Sequence, residues 1–199
     1  MYSQNNEERF IRKHFGERTG TFLDVGAYDG KTFSNTYALV EKGWGGLEVE
    51  ASPVNFTGLM KNVRKDNIKL LCAAVCTEPG SITLYDSQGD AITTTDTKHR
   101  DKWTSKTGGV DWQPIEILTI TPTELLAAYG NEWDMIDIDV EGYSYELFLS
   151  FDWEALKNCT LVVIEHDNRV SAIEKRLYKL DYRTTFSGSE NIILTRRLR

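Results

Sequence analysis

Asp24-Val25-Gly26-Ala27-Tyr28-Asp29-Gly30 follows the apolar run Thr21-Phe22-Leu23 and precedes a helical pattern that opens at Lys31. Two glycines let the backbone turn sharply and come close to a ligand, and the free N–H groups of a helix start offer donors to it. A dinucleotide fingerprint would read G-x-G-x-x-G, whereas this turn reads G-x-x-x-G, with Asp24 still inside the strand and Asp29 in the turn. Two carboxylates crowd out a pyrophosphate. They suit a ligand with a cationic group, such as the amino group and sulfonium of S-adenosylmethionine.

Three further acidic places could do chemistry. Glu50 ends the next apolar strand, where a carboxylate can accept both hydroxyls of an adenosine ribose; the alternative role is an acid stabilising the helix start near Ser52. Asp137-Ile138-Asp139-Val140-Glu141-Gly142 gathers three carboxylates where another strand meets its helix. Crowded like charges raise at least one pKa and favour a base, with Asp139 and Glu141 preferred over Asp137. Glu165-His166-Asp167-Asn168 follows a later strand and adds His166, a side chain whose ordinary pKa suits proton removal from an alcohol, against the alternative of a histidine held by capping acids. Asp139, Asp167 and Asn168 also form an oxygen set that would suit magnesium. His14 and His99 read as surface residues.

These residues need strands and helices to position them. Phe10, Ile11 and Phe15 predict a first amphipathic helix ending at Gly16, and Phe33, Tyr37 and Val40 a second that ends at Lys42-Gly43. Leu47-Glu48-Val49-Glu50 reads as a strand, and Ser52 with Pro53 opens a helix whose apolar face is Phe56, Leu59, Met60 and Val63. Ile68 to Val75 reads as one continuous strand. Asp86 to Pro114 loses all periodicity and is expected to form a substrate lid, with Asp90, His99, Arg100, Trp103 and Trp112 offered to the acceptor. Thr121-Pro122-Thr123-Glu124 is a capping box for a helix to Tyr129. Met135 to Asp139 and Leu161 to Ile164 are strands, Tyr145, Phe148 and Leu149 mark one helix face, and Val170, Ile173 and Leu177 mark another. Tyr178 to Phe186 with Asn191 to Thr195 reads as a closing antiparallel pair. Strands alternating with helices imply a parallel sheet covered on both faces, in which ligands bind beyond the carboxyl ends of the strands. Asp24, Glu50, Asp139 and Glu165 all occupy such ends.

At 199 residues, with no internal repeat or linker, one domain is expected over 1–199, with 86–114 inserted in it. The net charge of −7 argues against nucleic acid as partner, since phosphate neutralisation needs clustered Lys and Arg. Arg196-Arg197-Leu198-Arg199 is too short to reverse that. No stretch is long enough for a membrane span, and Met1 to Asn6 lacks the regions of a signal peptide, so a cytoplasmic protein is expected. Cys72, Cys76 and Cys159 lie in apolar runs without metal-site spacing and read as buried thiols. Trp44, Trp133 and Trp153 read as packing residues.

The turn from Asp24 through Gly30, extended by Lys31-Thr32-Phe33-Ser34-Asn35-Thr36, the Glu50 strand with Pro53, and Asp139-Val140-Glu141-Gly142 with Leu149 together resemble the FkbM-type S-adenosylmethionine-dependent methyltransferases. The chain departs from the usual pattern in having Ala51-Ser52 between Glu50 and Pro53, and Tyr143-Ser144-Tyr145 before Glu146. The resemblance implies a Rossmann-like class I methyltransferase fold: a mostly parallel seven-stranded sheet with helices on both faces and a C-terminal antiparallel hairpin. It implies S-adenosylmethionine held by Asp24, Gly26, Ala27, Tyr28, Gly30, Ser34, Asn35, Glu50, Ala51 and Asp139. It further implies O-methylation of a hydroxyl on a sugar, glycolipid or polyketide-like acceptor. An NAD-dependent oxidoreductase and a catalytically silent nucleotide-binding module are the other functions such a pocket could serve.

Overall fold

The computed structural model describes residues 1–197. In chain order its elements are α1 (Glu7–Phe15), β1 (Thr21–Val25), α2 (Tyr37–Glu41), β2 (Gly45–Glu50), α3 (Pro53–Asn62), β3 (Ile68–Cys72), β4 (Ala74–Val75), β5 (Gly80–Asp86) and α4 (Thr97–Thr107). There follow β6 (Gln113–Ile120), α5 (Pro122–Tyr129), β7 (Met135–Ile138), α6 (Ser144–Ser150), β8 (Leu161–Glu165), α7 (Val170–Tyr178), β9 (Arg183–Ser187) and β10 (Asn191–Thr195). Seven strands form the main sheet in the order β3-β2-β1-β7-β8-β10-β9. The first five run parallel, and β10 pairs antiparallel with both β8 and β9, as the Rossmann-like reading requires.

Alternation of side chains puts apolar groups on both faces of this sheet, so each must be covered. On one face Leu23, Val25, Leu47, Ile136, Ile138, Val162 and Ile164 pack against Leu125, Leu147, Phe148, Trp153, Ile173 and Leu177 from α5 to α7 and their connections. On the other, Phe22, Met135 and Val163 meet Ile11, Phe15, Leu39, Trp44 and Leu59 from α1 to α3 and their connections. Each fully buried aliphatic or aromatic side chain stabilises the fold by roughly 1.5–3 kcal/mol. This burial offsets one costly feature. Asp24 of β1 stands in register between Glu48 of β2 and Asp137 of β7, so three buried carboxylates form a row across the second face.

Five local expectations need correction. The helix expected from Lys31 starts only at Tyr37: the Asp29 carboxylate accepts N–H bonds from Lys31 (2.8 Å) and Thr32 (2.6 Å), and Ser34 Oγ accepts from Tyr37 N (2.9 Å). Such side-chain bonds compete with helix formation, and Phe33, at φ 60, turns outward. The strand expected over 68–75 divides after Cys72, because Ala74 and Val75 leave the main sheet to pair with β6. Strand β5 was not foreseen. It pairs antiparallel with β6 from Gly80↔Thr119 to Asp86↔Gln113, so the aperiodic stretch 86–114 is the connection of a hairpin and contains α4, capped by Asp96. Lastly, α7 continues to Tyr178 and β9 begins only at Arg183, while Met60 and Leu149, expected on apolar faces, are exposed.

Other expectations hold. Ser52 Oγ accepts from Asn55 N at 3.2 Å, Thr121 and Glu124 close their capping box, and Trp44, Trp133 and Trp153 are buried. The three cysteines are free thiols, Cys76 and Cys159 buried as expected and Cys72 only partly so. No helix among the described residues is long and apolar enough to cross a membrane.

Candidate active site

The chain builds β2 and β3 on one side of β1 and only later returns to add β7 on the other, so a crevice opens beyond β1 and β7. Gly26 occupies that point at φ 95, and a Cβ placed there would lie 1.7 Å from the main-chain oxygen of Asp139. Only glycine lets the two strand ends close. The N–H groups of Gly26 and Ala27 both go to Val49 O (2.9 and 3.0 Å), and Asp139 N goes to Val25 O (2.9 Å). Tyr28 (φ 54), Phe33 (φ 60) and Glu141 (φ 48) add left-handed conformations around the crevice, where non-glycine residues are held only by their surroundings.

Two cavities share the wall made by Gly26, Tyr28, Ala91, Asp139 and Glu141. The first is mainly apolar, lined by Val49, Ala74, Val75, Leu84 and Val140, with Glu50 and Ala51 on one side. Both Glu50 oxygens are anchored, Oε2 by Tyr28 N (2.9 Å) and Oε1 by Ser52 N (2.7 Å), leaving lone pairs for hydroxyl donors. Burial raises the Glu50 carboxyl to about 7 against the pull of those two N–H bonds.

The second cavity is acidic. Asp24, Asp137, Asp139, Glu141, Glu165 and Glu190 line it, with His99 and Lys102 as its basic groups. Burial raises Asp24 to about 6, although Thr36 Oγ1 donates to its Oδ2 at 2.5 Å. Burial also raises Glu48 to about 9, with the Asp24 charge adding to the effect, and neither Glu48 oxygen has a partner. Asp139 lies well above the usual carboxylate range through burial first and the charges of Glu165, Glu141, Asp137 and Asp24 next. Glu165 rises to about 7 through burial and then the Glu141 and Asp167 charges, opposed by the hydroxyl of Ser144, which donates at 2.9 Å.

The structure brings Asp24, Gly26, Ala27, Tyr28, Ser34, Asn35, Glu50, Ala51, Asp139 and Glu141 to these cavities. Gly30 lines neither. Its φ is 72, and a Cβ there would press on Leu59 and Val63, so it closes the turn against α3. Ser34 caps α2 while lining the second cavity.

His166 does not reach either cavity. It is buried, with Nδ1 accepting the N–H of Asn168 at 3.1 Å, so its ring is tied to the backbone of its own turn and not to the capping acids of the alternative above. The oxygen set proposed for magnesium does not assemble. Asp139 lines the cavities, but Asp167 Oδ2 caps Tyr145 N at 3.0 Å and Asn168 lies in the same turn, away from the lining. Among the described residues no group of three or more His, Cys, Asp and Glu side chains is placed to hold an ion.

Two contributors go beyond the sequence reading, which offered His99 to the acceptor as part of the lid but gave it no partner in the site, and left out the N-terminal segment. His99, taken for a surface residue, projects from α4 so that Nε2 lies 3.0 Å from Glu141 Oε2, close enough to pair though off the line of a hydrogen bond. Its helix is tied down by Asp96, which caps Lys98 N and His99 N, and by Thr94, whose hydroxyl donates to Glu141 O at 2.6 Å. Trp103 also lines the second cavity, whereas Arg100 pairs with Asp101 and Trp112 bonds back to Thr104. The second contributor is the N-terminal segment. Ser3 bridges to Phe33, Gln4 lines the cavity, and Asn5 Nδ2 donates to Glu190 Oε2 at 3.4 Å. The Asp96 cap ahead of Lys98 and His99 was the signal available in sequence for α4.

Among solved structures, a methyltransferase FkbM from Methylobacillus flagellatus is similar at a TM-score of 0.58 and 12% identity, over 98% of this chain and 48% of that one. The chain thus spans about half the length of that relative. The human methyltransferase 10 domain containing protein is similar at a TM-score of 0.50 and 11% identity, over 98% of this chain and 81% of that one. At such identities these likenesses concern the fold. No curated protein sequence matches the chain. The sequence signature described as the Methyltransferase FkbM domain matches residues 24–184, from the in-strand acid of β1 into β9. A chain carrying that signature over most of its length, on a Rossmann-like sheet with a glycine junction at its crevice, belongs to the FkbM methyltransferase family.

Proposed function

We propose that this S-adenosylmethionine-dependent methyltransferase moves a methyl group to a hydroxyl oxygen of a small acceptor, a sugar, glycolipid or polyketide-like molecule. Two features support the donor: Gly26 lets the ends of β1 and β7 close at the crevice where no Cβ would fit, and the apolar cavity ends at an anchored Glu50. Glu50 would hold the ribose hydroxyls, while Asp24, Asp139 and the loop residues Ala27, Tyr28, Ser34 and Asn35 would hold the amino-acid half. Bound there, S-adenosylmethionine supplies an electrophilic methyl carbon on a positively charged sulfur.

The observation that carries the choice of oxygen is the Glu141–His99 pair on and beside the wall shared by the two cavities. A neutral amine attacks a methyl carbon without help, but an alcohol is a poor nucleophile until its proton is taken. Glu141 is the group to take it, with His99 orienting the carboxylate and spreading the proton's charge. Segment 86–114 acts as the acceptor-side lid, since α4 carries His99, Lys102 and Trp103 into the second cavity.

The test is turnover of a hydroxylated acceptor library, read as S-adenosylhomocysteine release. Glu141→Gln should bind S-adenosylmethionine normally by calorimetry and lose turnover by about 10²- to 10⁴-fold. Full turnover by Glu141→Gln would remove the carboxylate from this role. Binding of NAD with no binding of S-adenosylmethionine would remove the whole reading.

A further inference from the structure

The acids of the second cavity fall into two groups. Asp24 and Asp137 are register neighbours, 4% and 3% exposed, and the charge that acts most on Asp137 is Asp24. Glu165 stands at the end of β8 and Glu141 in the turn after β7, and the charge that acts most on Glu165 is Glu141. Glu190, in the turn between β9 and β10, joins this second group at the cavity lining. Asp139 stands between them and feels the charges of both.

The basic groups do not balance these acids. His99 pairs with Glu141, and Lys102 is exposed on α4. The inner group also ends in unfilled acceptors. Asn35, 5% exposed, donates its amide to Asp137 yet leaves Oδ1 without a partner, as Asp137 leaves its own Oδ1. Both are oxygen acceptors lining the cavity, so the missing partners are hydrogen-bond donors. A protonated amine supplies up to three donors with a positive charge. S-adenosylmethionine carries one ammonium, and whichever acidic group takes it, the other is left.

We infer that the acceptor itself carries a protonated amine beside its reactive hydroxyl, as in an amino sugar or amino polyol, and that the outer carboxylates Glu165 and Glu190 hold it, which leaves Glu141 free to act as the base. This rests on the methyltransferase reading of the same site. It also directs the chemistry. An ammonium held by carboxylates has no free electron pair, so the methyl group goes to oxygen and the hydroxyl proton goes to Glu141.

The experiment is calorimetry on protein saturated with S-adenosylhomocysteine, titrated in turn with glucosamine, glucose and glucose 6-phosphate. Glucosamine should bind at least tenfold more tightly than glucose, and glucose 6-phosphate more weakly than either. Glu190→Gln, exposed and remote from the core, should cut the glucosamine preference roughly five- to tenfold, and the Glu165→Gln/Glu190→Gln double variant should abolish it. Equal affinity for glucosamine and glucose, or preference for the phosphate, overturns the inference while the methyltransferase reading survives. Failure to bind S-adenosylhomocysteine at all overturns the underlying reading instead. An acceptor found to be methylated on nitrogen would likewise overturn it.

Discussion

Replacing Gly26 with alanine isolates the junction between β1 and β7. A Cβ there would sit 1.7 Å from Asp139 O, whereas carbon and oxygen rest no closer than roughly 3.3 Å, so the strand ends must part by about 1.6 Å. The residue would also be held at φ 95, which costs a non-glycine residue about 1–2 kcal/mol. Gly43 provides the control, because its φ is 87 and nothing lies within 4 Å of its Cβ position. Gly43→Ala therefore carries the conformational cost alone and should lower Tm by about 2–8 °C with unchanged donor binding. Gly26→Ala carries the same cost and also displaces Asp139 and Glu141, which line both cavities. It should lower Tm further. Calorimetric affinity for S-adenosylhomocysteine should fall at least a hundredfold, since an error of about 1 Å in a positioned group is worth about that much. Equal donor affinity in the two variants would refute the argument that this junction is the donor cradle.

Several other outcomes can be measured. Four buried acids in and beside the site have folded-state pKa values above their unfolded ones, Asp24 about 6, Glu50 and Glu165 about 7 and Glu48 about 9. Through these groups the native state binds more protons than the unfolded state from about pH 4 upward, so the stability they contribute to the ligand-free protein is fully present at low pH and is lost as pH rises through these values. Thermal melts from pH 5 to 9 should show that fall, and Glu48→Gln should flatten its upper part; a Tm that rises toward pH 9 contradicts the assignment. Thr36→Val removes the hydroxyl donated to buried Asp24 and should cost about 1–3 kcal/mol in denaturant unfolding, with no loss if that bond is unimportant. Glu50→Ala should weaken S-adenosylhomocysteine binding by about 10- to 150-fold, and an unchanged Kd would assign the ribose elsewhere. His166→Ala should retain turnover, whereas His99→Ala should slow it at unchanged donor affinity; the reverse result would return the base role to His166.

The parts of the site carried by consecutive residues were legible in the sequence. The Asp24 to Gly30 turn, the Glu50 strand end and the Asp139-Val140-Glu141-Gly142 corner each join an apolar run to a turn, and the parallel sheet brings such ends together by topology. What sequence could not show depends on long-range registry. The row Glu48–Asp24–Asp137 exists only because three strands pair in one register, and alternation along any single strand does not announce it. His99 looked solvent-facing because α4 has a weak apolar pattern with no buried residue. The helix is held by its cap and by Thr94 rather than by a core stripe. His166 looked chemical because strand-end position was the sole criterion available, and the turn at Asp167 and Asn168, both at positive φ, folds its ring nitrogen back onto the backbone.

The hairpin of β5 and β6 has one further consequence. Its two strands meet at Asp86↔Gln113, and the intervening stretch is pinned again where the Tyr28 hydroxyl donates to Gly89 O, Asn55 Nδ2 donates to Asp90 O and Thr94 pairs through its backbone with Tyr85, so what hangs from these ties is α4 and the residues after it. Doubling the length of such a stretch adds only about 0.6 kcal/mol of closure entropy. The part from α4 onward can thus be exchanged, lengthened or shortened with little disturbance to the seven-stranded sheet or to Glu50, provided the part before it is kept, since Ala91, Thr93, Thr94 and Thr95 line the first cavity and Thr94 holds Glu141 O. In evolutionary terms it is a cassette: acceptor choice can drift through α4 while the methyl-donor half stays constant, and grafting 97–112 between relatives is a direct route to new acceptor ranges.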